Sequence, residues 1–173
     1  MSLNPQIYVA CLSSYNAGIL HGVWLDADLP PDELRLKIGE MLELSTIPNA
    51  EEWAVHDTSD FDGVDIQGAS LAEIGQRADF IRTYGRLGAE ILKSVRYEDG
   101  YVDIDRAHLL MEEYYQGSYD RVEDFVYDLI EACGDTPKQL APYVDYSLIA
   151  KELLLSDYFV LEADHKLHVF SRT

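Results

Sequence analysis

The chain has 173 residues, 47% of them hydrophobic, and carries 32 Asp and Glu against 13 Lys and Arg for a formal net charge of -19. That is enough apolar material for one domain or a short series of small ones, and too much for the disorder expected of an apolar-poor polyelectrolyte. The charge opposes direct binding to nucleic acid or to an anionic membrane, both polyanions that require Lys and Arg, and it favours a basic partner.

Cys11 and Cys133 lie far apart with no CxxC and no zinc spacing, so a reduced, cytoplasmic setting is expected. No apolar run approaches the ~18 residues of a membrane span, and the N-terminus lacks the regions of a signal peptide.

In chain order, IYVACL (7–12) and ILHGVWLDA (19–27) are rich in β-formers and flank SSYNAG, which predicts a hairpin. Pro30 and Pro31 open a segment in which Leu34, Ile38, Met41 and Leu42 fall at helical spacing, with Asp28 or Asp32 near its positive end. EEWAVHD (51–57) is a third strand returning beside the hairpin, giving a small ββαβ unit. The polar, Gly-punctuated stretch 58–68 is a linker or boundary loop.

Leu71, Ile74, Ala78 and Ile81 form one helical stripe and Leu87, Ile91, Leu92 and Val95 another, so 70–96 is a helical pair stepping at Tyr84-Gly85. After an Asp99-Gly100 turn, Asp103 or Asp105 caps a helix carrying Ala107, Leu110, Met111 and Tyr114, stopped by Gly117. Asp120 with Glu123 makes an acidic capping box for a helix that buries Val122, Phe125, Val126, Leu129, Ile130 and Cys133 and stops at Gly134. Two short helices, 137–143 and 146–155, precede a terminal hairpin turning near 163–166.

The motifs of enzymes are thin here. DTSDFDGVD resembles a calcium loop, but aligning Gly63 with the invariant glycine leaves Thr58 at the first ligand position and Ala69 where a bidentate Glu is required. His165 and His168 fall on opposite faces of a strand and do not make a metal pair. Neither a GxSxG elbow nor a phosphate-cradling glycine loop is present, so no catalytic residue, metal or cofactor is assigned.

Charge distribution is the informative feature. Between Lys37 and Arg77 there is no Lys or Arg, while Glu40, Glu43, Glu51, Glu52, Asp57, Asp60, Asp62, Asp65 and Glu73 all fall in that interval. A second such interval runs from Arg121 to Lys138. In it Asp124, Asp128 and Glu131 sit at i, i+4 and i+7, on one helix face at steps of roughly 6 and 4.5 Å. Such spacing costs a helix a few tenths of a kcal/mol per like-charge pair. Solubility alone needs far less charge than this. Duplex DNA carries one charge per ~1.7 Å, so the net charge matches about 32 Å of duplex and all the acids about 54 Å, or roughly 19 to 32 base pairs for a two-fold dimer.

With these residues in view, the sequence resembles the ArdA family of antirestriction proteins. IYVACLSSYNAGILHGVWLDA is similar to the family's N-terminal pattern, WAVHD to its next strand, and LLMEEYYQGSYDRVEDFVYDLIE to its antirestriction motif. The resemblance implies an α+β fold, an elongated chain of three small domains (1–62, 63–103 and 104–173). It further implies a homodimer that fills the DNA-binding groove of type I restriction-modification enzymes in the bacterial host cell and inhibits them stoichiometrically, as a DNA mimic and without catalysis.

Carried onto this chain, the phosphate-mimicking candidates are Glu112, Glu113, Asp120, Glu123, Asp124, Asp128, Glu131, Glu51, Glu52, Asp57, Asp60, Asp62 and Asp65. Leu109, Leu110, Tyr114, Gly117, Ser118 and Tyr119 are motif positions for packing or dimer contact. Arg121 departs from a purely acidic surface; pairing with Glu123, pairing with Asp124 and a place at the dimer interface are all open to it. The alternative function is an acidic adaptor for another basic DNA-handling protein, which would concentrate its affinity in a compact hot spot.

Overall fold

The computed structural model describes residues 3–97, 100–134, 137 and 139–172. The fold is α+β, and its contacts divide the chain into two compact units, Met1–Ile104 and Asp105–Thr173.

The first unit is built on a three-stranded antiparallel sheet of order β2-β1-β3, from β1 (Gln6–Cys11), β2 (Gly22–Asp26) and β3 (Trp53–Ser59). β1 and β2 form the expected hairpin, but SSYNAG is not a tight turn. Its residues wind into α1 (Leu12–Asn16), started where the Cys11 thiol accepts the Ser14 N–H. Helix α2 (Pro31–Glu43) begins on the two prolines and turns Leu34, Ile38 and Met41 inward, where Ile7, Val9, Cys11 and Leu25 of the sheet are also buried. β3 pairs with β1 as expected, with a register shift between Tyr8 and Val9.

Residues 70–96 form α3 (Leu71–Ser94), interrupted at Gly85 by φ 62° and ψ -142°. That conformation is open to glycine, so the helical pair is continuous in sequence but stepped where expected. Ser70 and Glu73 close a reciprocal capping box at its start. The stretch 58–68 is not a free linker, because Phe61 and Val64 are buried and the chain on both sides of it lies in the first unit. The expected turn at Asp99-Gly100 falls partly outside the described residues; Gly100 donates to the Tyr97 carbonyl at 3.0 Å, and Arg96 bridges Val102.

The second unit contains α4 (Ile104–Leu109) except its first residue, a π-helical turn (Leu110–Tyr114), β4 (Tyr115–Tyr119), α5 (Val122–Cys133), a 3-10 turn (Ala141–Tyr143), α6 (Tyr146–Ser156), β5 (Tyr158–Ala163) and β6 (Lys166–Ser171). The terminal hairpin is present, turning through Asp164 and His165, which both have positive φ. β4 adds to it as a third strand, giving the order β4-β6-β5. Helices α5 and α6 pack through Phe125, Val126 and Ala150 against Val169 of the sheet.

Four local expectations are corrected here. Gly117 is not a helix stop: it lies inside β4 at φ 133°, where a bulge shifts the register with β6. Asp120 does not cap α5, whose N-cap is Arg121 without a side-chain bond. Asp120 instead reaches Lys166 across the unit at 2.6 Å. Cys133, the last residue of α5, is exposed rather than part of the buried stripe. The helix expected over 137–143 is only the 3-10 turn, with Lys138 outside the described residues.

Candidate functional site: the acidic surface

In the first unit, Glu51, Glu52, Asp57, Asp60, Asp62 and Asp65 all lie exposed, on β3, the segment leading into it and the loop that follows. The sequence places them there because β3 is an edge strand, and charged side chains on an edge discourage further pairing. The loop is held from within. The Arg77 guanidinium, itself buried, donates to the Asp65 carbonyl at 2.6 Å, and the Lys93 ammonium donates to the Asp62 carbonyl at 3.2 Å. Arg96 pairs with the Asp65 carboxylate at 2.7 Å, and the Asn4 backbone N–H donates to Asp60 at 3.1 Å. The chain's own cations thus bind carbonyls and one carboxylate, holding the loop in place while Asp57, Asp60 and Asp62 face solvent. Among the described residues no three His, Cys, Asp or Glu side chains converge as a metal site requires.

In the second unit, Glu112 and Glu113 are exposed on the π-helical turn. Asp124, Asp128 and Glu131 are exposed along one face of α5, as their spacing predicts, while Phe125 and Val126 face the sheet. Asp120 and Glu123 differ from the rest. Asp120 is paired with Lys166. Glu123 is half-buried and pairs with Arg121 at 3.2 Å, one of the placements open to Arg121. The Glu123 carboxyl is held below the usual carboxylate range by its own backbone N–H and by the Arg121 guanidinium.

Of the motif positions, Leu110 is buried and Leu109, Tyr114 and Tyr119 are half-buried. Tyr119 stacks edge-on to Phe125 at 5.5 Å, and burial together with the nearby Asp128 charge raises its hydroxyl pKa. Arg106 lies 5.5 Å over the Tyr114 ring. Gly117 shapes the β4 bulge and Ser118 is exposed beside it.

One feature was not anticipated from the sequence. Tyr127 is 50% exposed, inside the Asp124, Asp128, Glu131 face, and its i+3 spacing from Asp124 was the available signal. Glu40 and Glu43, named above for their place in the interval without Lys or Arg, are exposed on α2.

Across the described residues, the bases are largely engaged at home. Arg35 pairs with Asp32, Lys37 with Glu33, Arg82 with Asp28 and Lys93 with Glu90. Arg172 donates to the Tyr158 carbonyl at 3.0 Å. Surface pairs of this kind contribute little to stability, but each removes a cation that would otherwise offset the exposed acids. The result is a carboxylate surface in each unit with little local compensation.

A search of curated proteins returns no match. The family model described as antirestriction protein (ArdA) matches residues 7–166, nearly the whole chain, and the chain belongs to the ArdA family of antirestriction proteins.

Proposed function

We propose that this antirestriction protein is a DNA mimic that occupies the DNA-binding groove of type I restriction-modification enzymes as a homodimer and inhibits them stoichiometrically, without catalysis. The observation that carries the reading is the regular, exposed carboxylate face of α5, Asp124, Asp128 and Glu131, on a helix fixed to its sheet by Phe125 and Val126. Carboxylates on a rigid element meet the Lys and Arg that hold phosphates without first having to be ordered, so they compete for the same cations. Asp57 at the end of β3 and the docked loop bearing Asp60 and Asp62 present charge in the first unit in the same manner.

The test is a competition between purified protein and labelled duplex DNA for a type I restriction-modification enzyme at low salt. Displacement of DNA saturating at a fixed molar ratio of inhibitor to enzyme is expected. Cleavage inhibition without DNA displacement would sink the mimicry reading, and a pull-down dominated by a different basic protein would favour the adaptor alternative.

A further inference from the structure

The carboxylates above supply charge but little geometry, whereas the first unit's sheet carries a preformed aromatic feature on its outer face. In register, Tyr8 on the central strand stands opposite Trp24 on β2 and opposite Asp57 on β3. Residues opposite one another share a face, so Trp24, Tyr8 and Asp57 form a row across all three strands, each about 4.8 Å from the next by strand spacing. The alternating residues Ile7, Val9 and Leu25 are buried on the other face, toward the core.

The row is shaped as well as aligned. The Tyr8 and Trp24 ring centroids are 5.4 Å apart at 49°, and Trp24 is 44% exposed. Gly22, one step further along the same face, makes the space for this. A Cβ there would meet Tyr8 Cζ at 2.7 Å and the Val9 carbonyl oxygen at 2.5 Å, so only a glycine lets the tyrosine ring lie against the strand. Asp57 accepts the Thr58 N–H with one carboxylate oxygen at 2.8 Å and is otherwise exposed. Asp26, on the same face two residues from Trp24, accepts the Gln6 amide at 2.9 Å. Arg82, on the Asp26 side, is already held by Asp28 and by Asn4.

A π-surface bounded by a carboxylate selects one kind of side chain. A planar guanidinium stacks on aromatic faces and forks to a carboxylate, whereas an ammonium is more strongly hydrated and has no plane to stack. We propose that the outer face of this sheet is the docking point for an arginine side chain of the basic target, with the guanidinium over Tyr8 between the Trp24 indole and the Asp57 carboxylate. The source of the arginine rests on the DNA-mimic reading; the chemistry of the pocket does not. Aromatic anchors of this kind concentrate binding energy where dispersed charges spread it.

The chain has two tryptophans, so Trp53→Phe leaves Trp24 as the sole indole reporter. Hexa-arginine peptide should perturb Trp24 fluorescence saturably, hexalysine of equal charge should do so far less, and Asp57→Asn should weaken the arginine response. Against the restriction enzyme, Trp24→Leu should lower inhibition about five- to tenfold with Trp24→Phe intermediate, and both should melt as the parent does because Trp24 is exposed. Equal responses to the two peptides, or undiminished inhibition by Trp24→Leu, would overturn the proposal. Loss of self-association in Trp24→Leu would also overturn it, by making the face a contact between copies. If the parent fails to displace DNA, the mimic reading falls while the peptide titration still decides the arginine site.

Discussion

Ser70 and Glu73 tie together two backbone donors that the start of α3 would otherwise leave open. The Ser70 hydroxyl accepts the Glu73 N–H at 3.3 Å, and the Glu73 carboxylate accepts both the Ser70 N–H and its hydroxyl at 2.7 Å. The Ser70 hydroxyl and then its backbone N–H hold the Glu73 carboxyl below the ordinary range. A carboxyl depressed in the folded state adds stability above its unfolded pKa and loses it as pH falls through the folded one. Ser70→Ala should therefore cost about 1 kcal/mol at neutral pH. The gap to the parent should narrow as pH falls below about 4, since a protonated Glu73 no longer needs the hydroxyl as donor. Chemical denaturation of both proteins across that range checks it; a gap independent of pH would show that the hydroxyl acts only as a cap acceptor. Asp26, also depressed, chiefly by the Gln6 amide, loses its contribution in the same direction in both proteins and so does not mask the difference.

On α5, the apolar residues and the acids obey one helical period and divide into two faces, and under the proposed function this division sets opposite demands on stability and binding. Replacing Asp124, Asp128 and Glu131 together by Asn, Asn and Gln removes like-charge neighbours worth a few tenths of a kcal/mol each, partly offset by lost attraction of Asp124 to the helix N-terminus. The triple variant should match or slightly exceed the parent in thermal stability while inhibiting the restriction enzyme several-fold less well; a parallel melt and inhibition titration reads both. An unchanged inhibition would remove α5 from the binding surface. The same element shows what the sequence makes legible. Its buried stripe, the Gly85 step in α3, the sheet of the first unit and the exposed acids of α5 all follow from local period and local chemistry. β4 did not, because Tyr-Gln-Gly-Ser-Tyr alternates over only five residues, around a central glycine that mimics a helix stop. It is a strand because β6, some fifty residues later, supplies the ladder. The cap at Asp120 failed for a related reason: Lys166, distant in sequence, draws that carboxylate away from the helix it precedes. The aromatic row on the first sheet is likewise a product of register between three strands, visible only once they are paired.

At the scale of the whole molecule, a net charge of -19 makes salt act on folding and on function with opposite signs. Most described bases are bound to the chain's own carboxylates and carbonyls, so the remaining acids repel one another within each unit. Salt shortens the reach of that repulsion to about 8 Å near physiological ionic strength, which should raise the melting temperature of the free protein. The same screening weakens every attraction between an exposed carboxylate and a cation of the target, so inhibition should fall over the same range. If many acids share that attraction, as the proposed mimicry requires, neutralising one of them, Glu51→Gln or Asp128→Asn, should change inhibition by less than about twofold, whereas successive neutralisations should accumulate and flatten the salt dependence. Melting curves and inhibition constants measured from about 50 to 200 mM salt test both halves. Inhibition that held constant while the melting temperature rose would mean that the charge serves the free protein alone and that the target is gripped by contacts such as the aromatic row.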